Sequence, residues 1–227
     1  MGVKKRAEEV ILNKLERPKK VCVTDKETFD AFFERERTVN RKGNLSKKGR
    51  LLIKTTGVFE EYESALEKRI LSLLDESDHI VSIKTQSVIL EYHYRGKDSF
   101  YYPDIIFLSA NGHIGIIEVK DTVSMFKAKT YKKYEALEHY CLQNGFFYAM
   151  LNDRDDFETL RKASKNIELE DYLIRLLDVR KSVSWASIKD TCKKMGWSIQ
   201  DVMTVAYSNN WKIQSPKSRV WAFSIKK

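Results

Sequence analysis

The chain has 227 residues, 41 of them Lys or Arg and 32 Asp or Glu, giving a formal charge of +9; that is length for one large domain or two small ones, and a charge suited to a polyanionic partner. No apolar run approaches membrane length and Met1-Gly2-Val3 leads straight into charge, so a signal peptide and a membrane span are not expected, and a cytoplasmic, nucleoid-associated protein is. Cys22, Cys141 and Cys192 form no Cys-x-x-Cys pair, and His79, His93, His113 and His139 show no ligand spacing; this argues against a disulfide framework and a zinc site, and for a reducing compartment.

In chain order, residues 1–54 hold 16 Lys and Arg against 8 Asp and Glu and read as a basic N-terminal arm. Within it, residues 8–15 and 28–37 have short helical patterns, the second around Phe29, Phe32 and Phe33. Residues 41–50 form a basic, glycine-broken loop in which Lys47, Lys48 and Arg50 suit a phosphate backbone. Phe59, Tyr62, Leu66, Ile70, Leu73 and Leu74 then recur at helical spacing, which predicts a helix over 59–74. Glu63 and Glu67 flank its apolar stripe, and Gln86 falls on the strand that follows.

Residues 101–108 and 114–120 are β-branched and aromatic runs joined by Ser109-Ala110-Asn111-Gly112-His113, the pattern of a buried hairpin. Asp104 sits on the first run, behind Pro103, and Glu118-Val119-Lys120 ends the second. Carboxylates and an ammonium buried at strand ends are costly unless they pair or bind metal, and a hard divalent cation such as Mg²⁺ takes carboxylate oxygens. Glu118 and Lys120 share one face because they are two residues apart. A two-residue turn at Asn111-Gly112 would set Asp104 opposite Val119, so an odd-length loop or a bulge is predicted, placing Asp104 opposite Glu118. Pro103, unable to donate to a ladder, marks an interruption. His113 follows the turn and is expected close to this site.

A helix over 124–144 comes next, stopped by Gly145, with Lys127, Lys129, Lys132 and Lys133 on its early turns as candidate DNA contacts. Residues 146–151 read as a strand parallel to its neighbour through a right-handed crossover. The core is thus helix, three-stranded meander, helix, strand. From residue 168 the charge turns basic again, 11 Lys and Arg against 6 Asp and Glu. Helices over 169–177, 185–195 (before Gly196) and 199–208 (capped by Ser198) precede strands at 211–213 and 219–225. Three helices and a β-hairpin is the winged-helix order. It puts Gln200, Thr204, Ser208 and Asn209 on a candidate recognition helix and Lys212, Lys217 and Arg219 on a wing.

Pro103-Asp104 followed by Glu118-Val119-Lys120 resembles the PD-(D/E)xK nuclease superfamily. With Glu63 to Glu67 on a helix upstream and Gln86 between, residues 55–151 are similar to TnsA-type transposon-end endonucleases and their relatives. The resemblance implies an α/β, restriction-endonuclease-like mixed sheet flanked by helices, with a C-terminal winged-helix-like domain. The organisation expected is an arm at 1–54, a nuclease core at 55–167 and the winged-helix-like domain at 168–227. By the resemblance Asp104, Glu118 and the Val119 carbonyl hold Mg²⁺, for which Mn²⁺ substitutes, and Glu67 holds it or a second ion. Glu63 is the second choice for the helical carboxylate, and Gln86 helps to position the site. Lys120 is the catalytic amine. The implied reaction is hydrolysis of DNA to a 5′-phosphate and a 3′-hydroxyl, at transposon ends beside a partner transposase. Phage DNA processing, branched-DNA resolution or restriction would use the same residues. A non-catalytic DNA-binding or partner-binding scaffold is the alternative of another class.

Overall fold

A computed structural model of the chain describes residues 24–33, 48–152, 154–214 and 223–227. Cys22, Lys47, Lys217 and Arg219, the helix expected at 8–15 and most of the basic loop lie outside them. The described residues are mixed α/β, and contacts divide them into two units: one up to Lys120 together with Lys132–Asp156, the other Asp121–Tyr131 together with Phe157–Lys227. The second unit therefore begins about ten residues before the expected boundary at 167 and takes in a segment from just after Lys120. The expected arm also contributes to the first unit's core, because Phe29, Phe33 and Ile53 are buried in it.

In the first unit, α1 (Lys26–Phe32) is started by Asp25, whose carboxylate accepts from the Thr28 N–H at 2.8 Å. β1 (Gly49–Ile53) and β2 (Val58–Tyr62) form an antiparallel hairpin that turns at Gly57, φ +70°. The helix predicted from residue 59 accordingly starts only at Ala65. Phe59 and Tyr62 satisfied the helical spacing, but the glycine turn pairs their segment with β1, and Ser64 caps α2 (Ala65–Asp75).

The main sheet has the order β3 (Ile80–Thr85), β6 (Ile105–Ser109), β7 (Ile114–Val119), β8 (Phe147–Leu151), with only the β7–β8 pair parallel. The meander is present, but a hairpin of β4 (Leu90–Tyr94) and β5 (Lys97–Tyr101) is inserted between its first two strands. The run at 101–108 is consequently two elements, with Tyr102-Pro103-Asp104 between Tyr101 of β5 and Ile105 of β6. The helix expected from 124 is also split, into α3 (Thr122–Met125) and α4 (Ala128–Asn144); Gly145, φ +69°, stops the latter as predicted.

Strand alternation gives the sheet two apolar faces. Ile105, Phe107, Ile117 and Val119 cluster with Ile70, Leu71, Leu73 and Leu74 of α2. Ile106, Leu108, Ile114 and Ile116 cluster with Leu137 and Cys141 of α4, with Tyr92 and Tyr101 of the inserted hairpin, and with Phe29 and Phe33.

The second unit contains α3, α5 (Phe157–Lys162), α6 (Ile167–Val179), β9 (Val183–Ser184), α7 (Trp185–Met195), α8 (Ile199–Ser208), β10 (Lys212–Gln214) and β11 (Ser224–Lys226), with its strands in the order β10-β11-β9. α7 and α8 have the predicted bounds: Gly196 ends α7 at φ +73°, and Ser198 starts α8 in a capping box with Asp201. α8 buries Val202, Met203, Thr204, Val205 and Ala206 in succession, packed against α3, α5, α6 and β10. Thr204 thus faces the core, its hydroxyl 3.4 Å from the Leu160 carbonyl, rather than a DNA groove. Asn209 is also engaged, donating to Glu170 at 2.6 Å. Among the described residues no helix is long and apolar enough to cross a membrane.

Candidate functional site

The loop between β6 and β7 sets the site's geometry. The Ser109 N–H donates to the His113 carbonyl at 2.8 Å and the Gly112 N–H to the Ser109 carbonyl at 2.9 Å, which closes a three-residue loop with Gly112 at φ +77°. The resulting register pairs Leu108 with Ile114 and Ile105 with Ile117, so its next step sets Asp104 opposite Glu118. This is the odd-loop arrangement expected from the sequence. It also sends His113 to the opposite end of the strands, edge-on to Phe147, and removes it from the site.

Ile117 and Val119 face α2, so Glu118 between them turns toward the α4 side, with Asp104 and Lys120 in phase. The Lys120 amine joins them. It donates to Glu118 Oε1 at 2.6 Å, Asp104 Oδ2 at 3.2 Å and the Val119 carbonyl at 2.8 Å, and Asp104 Oδ2 also accepts the Val119 N–H at 2.7 Å. Glu118 is 2 % exposed, and its second oxygen, Oε2, has no hydrogen-bond partner among the described residues.

Gln86 follows β3 at a left-handed φ of +53°, unusual for a residue with a side chain. Its N–H donates to the Asp104 carbonyl at 3.3 Å, and its buried Oε1 is likewise unpartnered. The adjoining Thr85 is pinned by buried Glu60, whose Oε2 accepts from the Thr85 N–H at 2.9 Å and hydroxyl at 2.6 Å. Glu67, on the first turn of α2, is buried and accepts the Glu63 N–H at 2.6 Å. The Glu63 carboxylate turns instead to Lys48, 3.6 Å away.

The charges act on one another. Burial and then the Asp104 charge push the carboxyls of Glu67 and Glu118 up to about 7. Burial alone would lower the Lys120 amine, but Asp104 and Glu118 outweigh it and hold the amine well above the ordinary lysine value. Glu67, expected as the helical carboxylate, is therefore electrostatically part of the cluster. Even so, among the described residues no three His, Cys, Asp or Glu side chains form a group able to hold a metal ion. The cluster is organised instead around the Lys120 ammonium. Its two unpartnered acceptors, Glu118 Oε2 and Gln86 Oε1, are oxygens, the kind of donor that a hard divalent cation takes.

The candidate DNA contacts fare unevenly. Arg50 pairs with Glu61 at 3.1 Å, Lys132 with Glu135 at 2.7 Å, and Lys127 reaches the Ser124 hydroxyl at 3.3 Å, while Lys129 and Lys212 are exposed. Sequence reasoning missed the supporting role of Glu60 and the inserted hairpin; Arg95-Gly96, with φ of +55° and +72°, was the turn signal for that hairpin. Compared with known protein families and with curated protein sequences, the chain finds no match.

Proposed function

We propose that the chain is a metal-dependent deoxyribonuclease of the PD-(D/E)xK type. The observation that carries this reading is the β6–β7 register, with Asp104 opposite Glu118 and the Lys120 amine bonded to both. The mixed sheet between α2 and α4 supports a restriction-endonuclease-like core. The order α6-β9-α7-α8-β10-β11, with β9 joining the hairpin, supports a winged-helix-like C-terminal unit. Because α8 is largely buried, direct base reading by that unit would fall to Gln200, Ser208 and the wing rather than to Thr204.

Asp104, Glu118, the Val119 carbonyl and Glu67 are the groups that would hold Mg²⁺ or Mn²⁺. Such an ion supplies the charge that lowers the pKa of a bound water and offsets that of the scissile phosphate. Lys120, kept protonated by its two carboxylates, is suited to donating to a non-bridging phosphate oxygen as negative charge develops there. Glu67, raised to about 7 by burial and by Asp104, would have to give up its proton to serve as one of these ligands. A TnsA-like nick at transposon ends beside a transposase is the biological setting we propose. Processing of phage, branched or foreign DNA would use the same groups.

A second reading, a DNA- or partner-binding scaffold without catalysis, draws on the fact that the Lys120 ammonium already satisfies Asp104 and one Glu118 oxygen. Nicking of supercoiled and branched DNA in Mg²⁺ or Mn²⁺ separates the two. The wild type is expected to cut, and Asp104→Ala and Lys120→Ala to lose at least about a hundredfold in rate. Cutting retained in both variants removes the site, and no cutting by the wild type leaves the scaffold.

A further inference from the structure

α4 brings a second amine to the face of the sheet that carries Glu118. Lys133 Nζ lies 4.6 Å from the centroid of the Tyr101 ring and 5.7 Å from that of Tyr92, and these two rings meet edge-on at 5.7 Å. The Tyr101 hydroxyl donates to the Lys133 carbonyl at 2.7 Å. One tyrosine thus fixes both the backbone and the ammonium of the same lysine. The amine forms no ion pair or hydrogen bond with any described residue. Burial lowers its value, with Glu118 attracting and Lys120 repelling its charge.

A lysine ordinarily carries its ammonium out to water or to a carboxylate. Here the stem is half-buried and the ammonium is held over two aromatic faces, an arrangement that favours a cation but leaves its three donors free. Those donors sit within electrostatic reach of Glu118, Lys120 and Asp104. The chemistry that matches a fixed, unpaired cation beside the carboxylate cluster is an anionic oxygen brought by the substrate.

We propose that Lys133, clamped by Tyr92 and Tyr101, binds a phosphate of the nucleic-acid backbone next to the bond that is hydrolysed at Asp104, Glu118 and Lys120. This rests on the nuclease reading for the identity of the bond, but not for the phosphate contact itself. The two amines then divide the work: Lys120 belongs to the reacting phosphate, and Lys133 holds the neighbouring one and fixes the register of the strand.

The test is equilibrium binding of a duplex oligonucleotide in Ca²⁺ as a function of salt, for wild type, Lys133→Met and Lys133→Arg. Methionine keeps the stem over the rings without charge. Loss of one phosphate contact lowers the log–log salt slope by about 0.9, with the melting temperature unchanged, and arginine restores the slope. A purely structural lysine would not move it. Should Lys133→Met unfold, acylation of the wild type read by mass spectrometry replaces it: duplex DNA is expected to slow labelling of Lys133. An unchanged slope, unchanged labelling, or a wild type that binds no duplex overturns the proposal. If the wild type cuts while the slope stays put, the Lys133 contact alone falls. If the slope drops but the wild type never cuts, the contact stands and the nuclease reading falls.

Discussion

Lys120→Met isolates the ion network from any assumption about catalysis. Glu118 is buried, and its carboxyl is pushed up to about 7, mainly by desolvation and Asp104, with Lys120 pulling the other way. A carboxyl raised on folding weakens the folded state as pH climbs from the ordinary carboxylate value to the raised one, because the unfolded chain gives up its proton first. In the wild type that loss stops at about pH 7. Without the ammonium the Glu118 value rises further, and the loss continues. Each pH unit is worth about 1.4 kcal/mol, so between about pH 7 and pH 8.5 the variant should lose further stability relative to wild type, at most ~2 kcal/mol. At about pH 5.5 Glu118 is protonated in both proteins, and only Lys120's hydrogen bonds are missing, about 1–3 kcal/mol. Urea denaturation at the two pH values in chelator measures both quantities. The double variant Glu118→Gln/Lys120→Met should lose the Glu118 share of the pH-dependent part, leaving only what Glu67 contributes, and keep the constant one. Equal destabilisation at both pH values, or a pH-dependent part undiminished in the double variant, would refute the reasoning.

Binding of Mn²⁺ by calorimetry should tighten from about pH 6 to pH 8 with release of protons, because Glu67 and Glu118 must shed theirs to become ligands; an affinity flat with pH contradicts this. Gly115→Ala would set a Cβ 2.2 Å from the edge of the Phe107 ring, its cross-strand partner, and is expected to cost about 1–3 kcal/mol in urea. Glu60→Ala removes the carboxylate oxygen that accepts from both the N–H and the hydroxyl of buried Thr85; a loss of about 1–3 kcal/mol, with weaker Mn²⁺ binding through the displaced Gln86, is the expected result. Ser198→Ala removes half of the capping box on α8 and should lower thermal stability by about 1 kcal/mol.

What the sequence made legible was what local rules decide. The facing of Asp104 and Glu118 followed from loop parity and strand alternation alone, and the bounds of α7 and α8 followed from Gly196 and Ser198. The misreadings occurred where two local patterns competed or where the deciding contact was distant in sequence. Phe59 and Tyr62 fit a helical stripe, yet Thr56-Gly57 turns their segment back onto β1. Residues 101–108 looked like one strand because Tyr101 and Ile105 are both apolar, although they belong to different sheets. Thr204 looked like a surface residue until α3 and α5 closed over α8. Lys133 looked like one of four surface lysines. Its distinction comes from Tyr92 and Tyr101, on a hairpin more than thirty residues earlier, and no periodicity within α4 carries that information.

The cluster at the end of β6 and β7 is poor economy for a protein that needs only stability. Two buried carboxyls each feel Asp104 as a like charge, and a buried ammonium is required to hold them. An apolar replacement of similar volume would ordinarily be neutral or better. The surrounding backbone nevertheless maintains the arrangement: Gln86 stays left-handed, Glu60 fixes the strand end beside it, and the Val119 N–H is spent on Asp104 rather than on the ladder. Such expense is intelligible if the repulsion is relieved by something that arrives. A hard cation would relieve the carboxylates and release the Lys120 amine from them, and a phosphate would then find two free ammoniums, Lys120 and Lys133, on one face. The same electrostatics that weaken the fold at neutral pH would therefore be what makes it bind.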